Sequence, residues 1–108
     1  MDIDIAGILK GAVGKAADAV KKDAPQVRDF LEQVMKGHQA ALEDLAKALA
    51  VGDLTRETFD DEVDDEAKTL QIELEAVTVM AKAVAQKAIN TFRRAFINGV
   101  TAAIKAAI

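Results

Sequence analysis

The sequence holds three sets of residues whose chemistry could support a function. The first is His38, the only histidine, which sits inside an apolar helical stripe. An imidazole there could serve as a metal ligand, a base or a pH-responsive group. Within its own helix it has no partner at ligand spacing, because positions 34, 35, 41 and 42 are Val, Met, Ala and Leu. A di-iron bundle would need Glu-x-x-His pairs and further inward carboxylates, and this pattern is missing. A structural or interface histidine is the expected role. The second set is the acidic block Asp60, Asp61, Glu62, Asp64, Asp65 and Glu66. It shares composition with a calcium loop, but no register has Gly at the sixth position with Glu at the twelfth. On a helix these carboxylates would also point around the axis instead of converging. The third set is the basic tail, Lys82, Lys87, Arg93, Arg94 and Lys105, interleaved with Asn90, Phe92 and Asn98, which could meet phosphates. The net charge of −4, the absence of Tyr and Trp and the adjacent acids argue against nucleic acid.

No nucleophile stands out. The chain has no Ser and no Cys, its Thr residues have no histidine at a telling spacing, and no glycine-rich loop follows a strand. No enzymatic activity, cofactor or metal is expected. The lack of cysteine also excludes a disulfide framework and suits a reducing cytoplasm.

The elements that carry these residues read as helices throughout. From Thr55 to Asn98 the chain has no Gly and no Pro and is expected to form one long helix. Thr55 can cap it, with Leu54 and Phe59 placed as a hydrophobic staple. Val63, Ala67, Leu70, Leu74, Val77, Ala81, Val84 and Ala88 alternate by four and three, the spacing of a packed helical seam. A second stripe, Ile72, Ala76, Val79, Met80 and Ala83, widens the apolar face. Ile89, Phe92, Phe96, Val100, Ile104 and Ile108 continue at helical spacing. Asn98-Gly99 is the expected break, leaving a short tail helix over 99–108. At 1.5 Å per residue the long helix would span about 65 Å, so something must lie along it.

Two segments are available. Asp23-Ala24-Pro25-Gln26 reads as a helix start, with Asp23 as cap and Pro25 in the first turn. From there Val27, Leu31, Val34, His38, Leu42, Leu45 and Leu49 form a stripe, which places a helix over 25–51 that ends at Gly52. The short Val51–Leu54 link predicts an antiparallel hairpin. Residues 3–20 form a weaker amphipathic pattern, with Ile5, Ile8, Leu9, Ala12, Val13, Ala16 and Val20 on one face and Gly7, Gly11 and Gly14 interrupting it. This segment has three readings: a helix docked on the rest, a disordered tail, or a membrane-surface helix.

The predicted fold is all-α: a long antiparallel helical hairpin over 23–108 with an N-terminal accessory helix over 1–22, assembling into a helical bundle. The alternative is a fold-back at Asn98-Gly99 that makes the chain compact on its own. Either way an apolar stripe is left over, so a homo-oligomer, a dimer or larger, is expected, with Leu70, Leu74, Val77, Val84, Phe92 and Phe96 as its contact residues. The charge is polarised: acids crowd the first turns of the long helix, and none follows Glu75. This suits the helix dipole. It also lets Asp60, Asp61, Asp64 and Asp65 of one chain face Arg93 and Arg94 of another, fixing an antiparallel orientation.

The run Ala48–Phe59, ALAVGDLTRETF, followed by an Ala-rich helix with INTFRRAFINGV, resembles small helical proteins encoded by bacteriophages and prophages. The resemblance covers the last two-thirds of the chain and leaves out the N-terminal segment. Those proteins are typically of unknown function, so it implies a genomic setting and carries over no site residues. The function expected is a non-enzymatic one exercised through protein contacts, as a phage structural or accessory component. The rival is a membrane-surface or lytic role for residues 3–20 and 99–108. The opening Met-Asp-Ile-Asp-Ile is acidic, unlike a secretory signal, and the uncharged run Ala95–Ile104 is shorter than the roughly 20 residues needed to cross a bilayer. A soluble cytoplasmic protein is expected.

Overall fold

A computed structural model describes residues 3–107. Met1 and Asp2, part of the acidic opening, and Ile108, the last position of the tail's apolar spacing, lie outside the described residues. The described residues form helices α1 (Ile5–Ala19), α2 (Val27–Met35), α3 (Gln39–Ala50), α4 (Arg56–Val77) and α5 (Lys82–Ala107), and no strand. The protein is all-α.

The local chemistry of the chain accounts for several helix ends. Asp4 caps α1, its carboxylate accepting from the Gly7 amide at 3.0 Å. Gly52 follows α3 with φ +83°, a conformation that a side chain disfavours. The amide of Gly52 donates to Leu49 O and that of Asp53 to Ala48 O, at 3.2 and 2.8 Å, which closes a Schellman motif. Thr55 then caps α4, its Oγ1 accepting from the Thr58 amide at 3.1 Å. This turn is the hairpin link that the sequence predicts.

Three expectations are corrected. The long helix does not run to Asn98. It ends at Val77, and residues 78–81 form an extended turn from which α5 folds back along α4. Asn98-Gly99 is not a break but the interior of α5. A Cβ on Gly99 would lie 2.7 Å from Ile8 Cγ2, so this glycine serves the close approach of α1 and not a helix end. Finally, the helix expected over 25–51 starts at Val27, with Gln26 as N-cap, and divides at Lys36–His38 into α2 and α3. Gly37, the weakest helix former in that stretch, donates to Val34 O and His38 to Met35 O, bonds of the tighter i−3 type.

The result is a bundle of four antiparallel rods: α1, α2 with α3, α4 and α5. The tight turn at Gly52 opposes α3 to α4, and the pairings Phe59 with Phe96 and Asp64 with Arg93, one rising as the other falls, oppose α4 to α5. α5 packs most extensively on α1, then on α4. The molecule measures 42 × 21 × 20 Å, the length of its longest helix and well short of the extended hairpin's 65 Å span. A fold-back does make the chain compact, but at residues 78–81 and not at Asn98-Gly99.

Phe59, Phe92 and Phe96 are fully buried at the centre. Phe92 and Phe96 stack with centroids 6.0 Å apart, and Phe59 lies 6.2 Å from Phe96. The apolar face of α1 is buried from Ile5 through Val20, apart from the half-buried Ile8. The segment is therefore a docked helix, neither a disordered tail nor a free membrane-surface face.

Candidate functional site

His38 is the one buried polar side chain among the described residues. The α2–α3 joint turns it toward α4, where Glu66 and Glu73 stand two helical turns apart. Its Nδ1 lies 2.7 Å from Glu66 Oε2 and its Nε2 lies 2.7 Å from Glu73 Oε2. A neutral imidazole has one N–H and can serve only one of these carboxylates. The imidazolium serves both, donating from each nitrogen in a short charge-assisted bond. Burial alone would lower the pKa of His38. The hydrogen bonds to Glu66 and Glu73, together with their negative charges, outweigh it and raise the pKa above 6.5.

This arrangement clamps two helices together. Both ring nitrogens are occupied, and no group of three or more His, Asp or Glu among the described residues is placed to hold a metal ion. Inspection of the histidine's own helix misses both glutamates, because they come from the other side of the hairpin. The signal for them lies in the register: folding the chain about Gly52 sets His38 opposite the stretch between Glu66 and Glu73.

The charged residues singled out by sequence are divided by the fold. Asp64 accepts from Arg93 Nη1 at 3.0 Å, joining α4 to α5 within one chain. Asp60 pairs with Arg56 one turn earlier, at 2.9 Å. Asp61, Asp65 and Arg94 are exposed. Of the six residues expected to pair between chains, only Asp64 and Arg93 meet, and they do so within one chain, because the turn at 78–81 folds α5 back along α4.

The expected contact residues are placed differently from the prediction. Leu70, Leu74, Phe92 and Phe96 are fully buried and Val84 is half-buried. They form this chain's own core instead of an assembly surface, since α5 folds back to cover the stripe. Of the six, Val77 alone is exposed. It belongs with Ile72, Ala76 and Val79 to an apolar patch at the α4–α5 end of the bundle, where Ile72 is 67% exposed and Val79 completely so. Beside the patch runs a groove of about 520 Å³, floored by Val27 and Phe30 of α2 and walled by Ala24 and Pro25 on one side and Val77, Val79 and Met80 on the other. Of the second stripe expected from the sequence, Ile72, Ala76, Val79 and Ala83 are exposed, while Met80 is half-buried against the core.

No helix among the described residues is long and apolar enough to cross a membrane. No protein-family model, no curated protein and no solved structure matches the chain.

Proposed function

We propose that the protein is non-enzymatic and acts through protein–protein contacts, first of all by associating with copies of itself at the α4–α5 end of the bundle. The observation that carries this reading is the exposed patch of Ile72, Ala76, Val77 and Val79 beside the Phe30–Met80 groove. An isolated exposed hydrophobe needs no explanation, whereas a contiguous apolar patch marks an interaction surface. A role as a phage structural or accessory component fits such a surface and the resemblance of the 48–59 and 89–100 segments to phage-encoded helical proteins.

Sedimentation equilibrium with interference optics, suited to a chain without Trp or Tyr, tests the reading. The wild type is expected to gain mass with concentration, and the double variant Ile72→Glu, Val79→Glu to remain a monomer. A wild type that stays monomeric throughout would overturn self-association.

A further inference from the structure

We propose that the outer face of the α1–α5 layer binds the phosphate backbone of a nucleic-acid duplex. This surface is separate from the apolar patch of the self-association reading and does not depend on it.

The fold sorts the chain's charge into two layers. α1 and α5 lie side by side as one layer of the bundle, and α2, α3 and α4 make the other. Residues 3–24 and 82–107 carry nine Lys or Arg and three Asp, a net charge of +6. Residues 25–77 carry five Lys or Arg against fourteen Asp or Glu, a net charge of −9. The overall −4 therefore describes neither side. The bundle is 20 Å across its shortest axis, and at about 0.1 M salt charges are screened over roughly 10 Å. A polyanion on the basic layer thus feels that layer far more than the carboxylates on the outer side of the acidic one. On the flank between α4 and α5, Asp64 is already paired with Arg93.

α5 supplies most of the surface. It has no acid, and Lys87, Thr91, Arg94, Asn98 and Lys105 recur at spacings of four, three, four and seven, which share one face of a helix. All but the half-buried Thr91 are exposed. Beside them α1 adds the exposed Lys15, across a shallow groove lined by Gly11, Ala95 and Gly99. Lys15, Lys87 and Arg94 pair with no carboxylate among the described residues. The acids of this layer, Asp4, Asp18 and Asp23, are outnumbered.

The occupant follows from the chemistry of this face. The exposed large hydrophobic side chains are Val51, Ile72, Val77 and Val79, and none of them stands on α1 or α5. A protein partner would need an apolar centre to its interface, and a lipid surface would need apolar residues beside the cations. Cations interleaved with hydroxyl and amide side chains suit phosphates, which accept hydrogen bonds from all three. Interfaces with nucleic acid are the more polar and more positive kind. Phe59, Phe92 and Phe96 are buried and Phe30 belongs to α2, so no ring here can stack the bases of a single strand. A duplex presents a regular row of charge and asks for no stacking. The net charge and the missing Tyr and Trp thus speak against a general affinity and against single strands, but not against a duplex on this face.

The test is fluorescence anisotropy of labelled DNA and RNA duplexes of roughly 24 base pairs, titrated with the full chain at about 50 and 200 mM NaCl. Binding of either duplex supports the proposal, and the comparison shows which one the face prefers. With Lys15, Lys87, Arg94 and Lys105 each neutralising one phosphate, affinity is expected to fall on the order of 100-fold between the two salt concentrations. Lys87→Gln with Arg94→Gln is expected to weaken binding at the lower salt by at least about tenfold and to halve the salt dependence. Lys36→Gln with Lys47→Gln, at exposed cations of the acidic layer, is expected to change neither. A wild type that binds neither duplex at the lower salt, or that binds a single strand more tightly than either, would overturn the proposal. So would a Lys87→Gln, Arg94→Gln variant that unfolds at the wild-type temperature and binds as the wild type does. Retention by anionic vesicles without duplex binding would assign the face to a lipid surface and overturn it as well.

Discussion

At the scale of single residues, His38 shows how an ionisable group can be built into a small helical core. The imidazolium satisfies two carboxylates that neutral imidazole cannot satisfy together, and this outweighs the burial that would otherwise favour the neutral form. Because the folded pKa lies above the unfolded one, the clamp's contribution is fully present below about pH 6.5. It is lost as the pH rises through the raised folded value. The ring-proton NMR titration of His38 is expected to have its midpoint above 6.5, and Glu66→Gln to lower it; a midpoint at or below 6.5 in the wild type would contradict the clamp. His38→Ala is expected to cost roughly 1–2 kcal/mol near pH 6, from the two charged hydrogen bonds lost, a cost held down because the partly exposed Glu66 and Glu73 carboxylates regain water. In that variant chemical denaturation should no longer show the decline in stability from pH 6 to 8 that the wild type owes to this group.

At the scale of elements, the glycines of α1 and α5 look alike in sequence and are set apart by packing. Gly11 and Gly14 have open space where a Cβ would stand, so each Gly→Ala change is expected to stabilise the protein by about 0.5–1 kcal/mol. Gly99→Ala gains the same helix propensity but drives its Cβ into the branched side chain of Ile8. A net loss of about 1–3 kcal/mol is expected from the overpacking, largely relieved when Ile8→Ala is added. Thermal unfolding of the four variants checks this ordering, and a Gly99→Ala protein more stable than wild type would show that α1 and α5 do not approach so closely. Asp64 and Arg93 join α4 to α5 at a half-exposed site, so a double-mutant cycle between them is expected to give only about 0.2–1 kcal/mol.

For the whole molecule, the turn at 78–81 decides what the long apolar repeat does. With α5 folded back, Leu70, Leu74, Phe92 and Phe96 are core residues. Phe96→Ala is then expected to cost about 3–5 kcal/mol of folding stability, against a total that for domains is typically about 5–15 kcal/mol. Its effect should appear in denaturant unfolding and not, as an assembly-surface role would require, as a selective loss of oligomer mass in a chain of unchanged stability. The sequence by itself determined the all-α class, the apolar face of α1 though not that it is buried, and the α3–α4 turn with Gly52 and Thr55, because helical periodicity and capping act within one or two turns of chain. It also held the surplus stripe around Ile72 and Val79. Only the tertiary structure decided where the repeat folds back, that His38 meets Glu66 and Glu73, and that Gly99 is a packing position. Those outcomes depend on what covers each apolar face, and the covering residues lie about 30 to 90 positions away in sequence, beyond the reach of any local pattern.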